Sequence, residues 1–237
     1  MTPLYLVVVT SLLAGLTMAL GAILASFEDI QPNWHKAEFQ HSVTAFGAGS
    51  LLSAVALVLV PEGIALFTPL WASIFFLLGA ASFMALDAYL NKINTPASQM
   101  AAMLSDFIPE SIALGAAFAY EASTAFLLAG LIALQNFPEG FSAYRELVKG
   151  SASQGKRIIV IFALMALLGP IAGVIGFIWL ADFPEVISAL MLFASGGILY
   201  SIFQDIAPQI PIKNHLTPPM GAVLGFLLGM IGLMITT

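Results

Sequence analysis

The sequence predicts an all-α polytopic membrane protein with eight transmembrane helices, and three observations carry that expectation. Of 237 residues, 60% are hydrophobic and 8% charged, with a mean hydropathy of +1.00, whereas a soluble domain carries about 25% charged residues. The seven basic and thirteen acidic side chains sit in short clusters separated by apolar runs longer than the ~20 residues that cross a bilayer. Polar or proline-marked breaks divide the chain into candidate spans near 4–27, 41–61, 69–90, 97–120, 123–147, 157–180, 184–207 and 217–236. The whole of 1–237 reads as one integral membrane domain.

This composition excludes a soluble enzyme. A net charge of -6 and seven scattered cations leave no basic patch for nucleic acid. With no cysteine, thiolate metal sites, disulfides and thiol nucleophiles are all absent.

Helix one could be mistaken for a cleaved signal, but Met1 to Phe27 holds no Lys or Arg and so lacks the positive region of such signals. The basic residues then orient the rest. Lys36 falls between helices one and two, Lys92 between three and four, Arg145, Lys149, Lys156 and Arg157 around the five-to-six connection, and Lys213 between seven and eight. All lie at odd-numbered connections, while the even-numbered ones carry Glu62, Glu121, Asp182 and Glu185. The positive-inside rule therefore places odd connections in the cytoplasm and both termini outside, with the multi-pass chain in the plasma (inner) membrane.

An internal repeat agrees with this count. Phe46, Gly49, Leu52 and Pro61 of helix two recur 147 residues later as Phe193, Gly196, Leu199 and Pro208 of helix seven. That spacing makes the two copies cross in opposite directions, as in the inverted repeats of many transporters. Small residues also recur wherever membrane helices pack closely, which is the plainer explanation.

Ionisable residues near mid-membrane cost at least ~2.5 kcal/mol on insertion scales, so each is a functional candidate. Asp106 and Glu110 lie within helix four and Glu139 within helix five, in the strings DFIPES and QNFPEG. Each string has a polar residue, Asp106 or Gln135, four before its Pro-Glu glutamate, and that spacing puts both oxygens on one helix face. Counting from the helix ends at 1.5 Å per residue places Asp106 and Glu139 at one level, roughly 12 to 14 Å deep, and Glu110 near the level of Gln135. Three carboxylates without a nearby Lys or Arg repel one another in low dielectric unless protonated or neutralised by a bound cation. A divalent cation meets that need. Pro109 and Pro138 each remove a helical hydrogen bond and release a carbonyl one turn earlier, at Ser105 and Leu134. The plainer alternative is a protonated, hydrogen-bonded packing residue beside a common membrane proline.

The stretches DFIPESIALGAAF, QNFPEGFSAY, FGAGSLLSAVALVLVPEG and LMLFASGGILYSIFQDIAP together resemble the ZIP (Zrt/Irt-like) family of divalent metal transporters, over nearly the whole chain. The resemblance implies eight helices, extracellular termini, and an inverted pairing of helices one to three with six to eight around a four-five hairpin. It also implies a metal site of Asp106, Glu110, Gln135, Asn136 and Glu139. Asp106 and Gln135 stand where the family usually or often has His, and Phe107 stands where it has Asn. Gly169, before Pro170, stands where many members have Glu, so one metal position is expected rather than two. The remaining ligands are all oxygen, which suits Mn²⁺ or Mg²⁺ better than Zn²⁺, although carboxylates also hold Fe²⁺ and Zn²⁺.

Outside this constellation, His35 and His41 bracket the inner start of helix two and His215 lies in the last connection; surface imidazoles there are common. Asp87 and Asp205 line an inner exit or cap helices, and Glu62, Asp182 and Glu185 draw cations or simply solvate loops. The expectation is a transporter or facilitator of divalent metal, not an enzyme, with no resident cofactor and with lipid as its other partner; a homodimer is left open. Its rivals are a proton or monovalent-cation pathway and an intramembrane metal-dependent hydrolase. No P-loop supports ATP-driven transport, and no His-Glu-x-x-His helix supports the hydrolase.

Overall fold

The computed structural model describes residues 3–27, 33–93, 96–120, 122–148, 152–210 and 216–236, and it is helical, with no strand among them. The chain is an integral, multi-pass helical membrane protein. Its eight rods are α1 (Pro3–Phe27), α2 (Asn33–Ala54, carried on through a π-helical turn at Val55–Leu59 into Val60–Ile64), α3 (Pro69–Ile93), α4 (Pro96–Tyr120) and α5 (Ala122–Leu147). They continue with α6 (Ala152–Met165, Leu168–Ile175 and a π-helical Gly176–Leu180), α7 (Pro184–Ser201, a π-helical Ile202–Ile206 and a last turn at Ala207–Gln209) and α8 (Thr217–Thr236). Glu121, Lys149, Lys213 and His215, and the side chains of His35, Lys36 and Asp205, lie outside the described residues.

The observed rods match the expected segments closely. The largest difference is α2, which starts at Asn33 rather than near 41, because helical hydrogen bonding carries on into the polar stretch that hydropathy excludes. Six helices are long and apolar enough to cross a bilayer. The remaining two, α4 and α5, are equally long at 25 and 26 residues but carry the polar strings. Burial explains their composition. Among the described large apolar side chains α4 exposes none and α5 only Phe126, whereas α3 exposes six, among them Leu70, Trp71 and Leu77. A helix that protein shields from lipid does not need an apolar surface all round.

Prolines set the irregular turns. Pro170 has no N–H to give to the Ala166 carbonyl, and Gly169 N–H takes that acceptor instead at 3.2 Å, tightening the rod into a break. In α2 the π turn precedes Pro61 and its closing bond runs from Val60 N–H to Val55 O. In α7 the π turn precedes Pro208 and closes from Ala207 N–H to Ile202 O, each residue 147 positions after its counterpart.

Glycines let backbones touch, and their contacts pair the rods. A Cβ on Gly49 would strike the Ala222 carbonyl, and one on Gly225 the Phe46 carbonyl, so α2 lies against α8. Gly196 meets the Phe76 carbonyl and Gly79 the Phe193 carbonyl in the same manner, joining α7 to α3. Gly140 against Met18 joins α5 to α1, and Gly115 against Gly173 joins α4 to α6. With Gly21 against the Phe137 carbonyl and Gly176 against the Ile112 carbonyl, every pair is reciprocal: each glycine meets the carbonyl three residues before its partner's glycine, and because a helical Cβ tilts toward its own N-terminus, each pair runs parallel. With no hydrophobic drive between helices in lipid, such close backbone approach is a main source of association.

These contacts give a test. Gly196→Ala is expected to lower the thermal stability of the detergent-solubilised protein, by about 1–3 kcal/mol for a forced overpacking. Gly130→Ala, whose added methyl group meets nothing within 4 Å, is expected to be neutral or to gain up to about 1 kcal/mol. Equal Tm values for the two variants would contradict the pairing.

Candidate functional site

The polar strings lie side by side where α4 and α5 meet. Both helices run through their prolines, Pro109 and Pro138, without a break. The carboxylate of Glu110, 1% exposed, and the amide of Gln135, 2% exposed, face each other. Gln135 donates from Nε2 to both Glu110 oxygens, with each distance 2.5 Å. Counting residues to the helix ends had put these two at one level, and there they touch. Asp106 and Glu139 are partly buried on the same side, and the charges of Asp106, Glu110 and Glu139 lie within electrostatic reach of one another.

Not every expected residue joins this contact. Asn136 is committed to α1, donating from Nδ2 to the Ala14 carbonyl at 3.0 Å. Among the described residues, no three His, Asp or Glu side chains form a group able to enclose a metal ion by themselves. The centre of the site is one carboxylate against one carboxamide. Gln135 Oε1 is buried and accepts no hydrogen bond from the described residues. An orphaned acceptor of this kind costs ~1–3 kcal/mol, so the site favours a partner that can take that oxygen.

The two ends of the site differ. Beyond Glu110 and Gln135, toward the α4–α5 turn, come Leu114, Leu128, Leu131 and Ile132, each 1% exposed or less. Past that apolar layer opens a cavity of about 290 Å³ bordered by Glu62, Ala117, Thr124, Ser188 and Met191. Toward the other end, Glu139 and Ser142 of α5 are partly exposed and Glu146 is exposed.

One feature escapes sequence reasoning. The ring of Phe107, 1% exposed, lies in a notch between two glycines: its Cζ would stand 2.7 Å from a Cβ on Gly15 and 2.6 Å from one on Gly169. Phe107 and Gly169 are the two positions at which the sequence departs from the ZIP pattern for a second metal, and here they pack on each other. A large side chain where a polar one is usual, facing a glycine where a carboxylate is usual, is the available sequence signal. Only the packing shows that the one fills the space of the other. The chain matches no protein-family model, and no curated protein is significantly similar to it.

The notch is open to test. Gly169→Val is expected to destabilise the protein, and Phe107→Leu, which removes the clashing ring edge, to recover part of that loss, so the double variant should melt above Gly169→Val. Additive losses in Tm would contradict the contact.

Proposed function

We propose that this chain is a ZIP-like transporter that carries divalent cations across the plasma membrane into the cytoplasm through the α4–α5 site. The observation that carries this reading is the burial of Glu110 with Asp106 and Glu139 in electrostatic reach and no nearby cationic residue on these helices. α4 has no Lys or Arg, and α5 has only Arg145 in its last turn. Such a cluster stays in low dielectric when a divalent cation balances it. A half turn of the Gln135 amide exchanges Nε2 for Oε1, replacing a donor to Glu110 with an oxygen for the same cation. Asp106 and Glu139 complete an all-oxygen shell, and Asn136 stays with Ala14 as part of the wall.

Eight crossings and an inverted repeat belong to this proposal. Rods α4 and α5 lie parallel to α6 and α1 along lengths that, at 1.5 Å per residue, reach ~37 Å, so they cross where their partners cross. The paired contacts Gly49–Ala222 with Gly196–Phe76, and Gly225–Phe46 with Gly79–Phe193, together with the π turns before Pro61 and Pro208, support a two-fold relation of α2 and α8 to α7 and α3. Parallel α4 and α6 also put Lys92 at the same end as Arg145, Lys156 and Arg157, and the positive-inside rule makes that end cytoplasmic. The family resemblance adds the motion: α1, α4, α5 and α6 move as one body against the other four, elevator-fashion.

Purified protein in vesicles loaded with a metal-sensitive dye tests the reading. Divalent-cation influx is expected, and Glu110→Ala or Glu139→Ala should abolish it. Proton flux without metal movement would favour the rival pathway. A shell of oxygens also fixes selectivity: the double variant Asp106→His, Gln135→His should shift preference toward Zn²⁺ over Mn²⁺, and an unchanged order of preference would contradict the ligand set.

A further inference from the structure

The site is closed by apolar side chains toward the α4–α5 turn, yet a line of polar groups leaves it in the opposite direction. On α5, Gln135, Glu139, Ser142 and Glu146 are spaced four, three and four residues apart, which sets them on one face with a polar group at each turn. Exposure rises along that face: Gln135 is buried, Glu139 and Ser142 are partly buried, and Glu146 is exposed. A residue on α2 faces this line, since Thr44 Oγ1 and Ser142 Oγ share a hydrogen bond of 3.0 Å. Gln40 and His41, four and three residues before Thr44, continue the α2 side toward its start and are also partly buried. Among the described side chains of α4, the turn beyond Asp106 brings Met103, which is 1% exposed.

We infer that the cation leaves the site along the α2–α5 seam, passing from Glu139 to the hydroxyl pair Thr44–Ser142 and reaching the aqueous end between His41 and Glu146. This inference rests on the transport reading of the previous subsection and adds to it a second set of oxygen ligands, weaker than the first. Neutral hydroxyl oxygens suit that role. They replace part of a divalent ion's hydration shell without the charge that would trap it, so the ion is passed on rather than held. A hydroxyl pair that merely fastened two helices would need neither the acidic groups one turn to either side of it nor the graded exposure.

The chain contains no cysteine, so single cysteines can be introduced without a background. Ser142→Cys and Thr44→Cys, reconstituted in vesicles of known orientation, are treated with a positively charged, membrane-impermeant thiol reagent from the cytoplasmic side. Both are expected to react at least several-fold faster than Leu228→Cys, which sits on the exposed apolar face of α8, and Mn²⁺ is expected to slow the reaction. Ser142→Leu is expected to slow Mn²⁺ transport at saturation several-fold more than it weakens Mn²⁺ affinity at the Glu110–Gln135 site, an effect that a purely structural bond would not have. If the wild-type protein transports Mn²⁺ but the two cysteines react no faster than Leu228→Cys, the seam is not the route and the transport reading stands. If the wild-type protein moves no divalent cation, both readings fall.

Discussion

Burying the carboxylate of Glu110 in the middle of an apolar bundle constrains everything around it. An ionised carboxylate in such a place needs a donor, a cation or a proton, and the described structure supplies a donor, the Gln135 amide, across the α4–α5 contact. That choice leaves Gln135 Oε1 without a partner and leaves two more carboxylates within reach. A single amide therefore balances the cluster only in part. The placement also requires that lipid be kept away from the polar strings, which is why the two helices that carry them sit where α1, α2, α6 and α7 can cover them.

Covering two polar helices closely calls for backbones that can touch. Glycine contacts bring α1 onto α5 and α6 onto α4, and the same device joins α2 to α8 and α7 to α3. Proline works in the other direction, loosening the ladder at the π turns before Pro61 and Pro208 and breaking α6 at Pro170. Tight seams and soft turns thus alternate in a bundle whose proposed work is to let one half slide past the other. The Phe107 ring between Gly15 and Gly169 belongs to the tight part.

Much of this was legible in the sequence because bilayer thickness and helix rise fix the number of residues per span. Apolar run length located eight rods to within a few residues at most ends, and residue counting put Glu110 opposite Gln135. Other features could not be read that way. The sequence placed Asn136 among the ligands, yet whether its amide turns inward or toward the Ala14 carbonyl depends on the helix packed behind it. Hydropathy likewise missed the first turns of α2, since it measures affinity for lipid and not the ability to form a helix.

Anomalous diffraction from crystals soaked in Mn²⁺ tests the central claim most directly, because it reports occupancy, element and ligand distances together. The expected result is one strong peak within bonding distance of a Glu110 oxygen and of Gln135 Oε1, with the Gln135 amide turned from its present orientation and Asp106 or Glu139 drawn in. A saturating soak that leaves Nε2 of Gln135 on both Glu110 oxygens, with no peak between α4 and α5, would contradict the account.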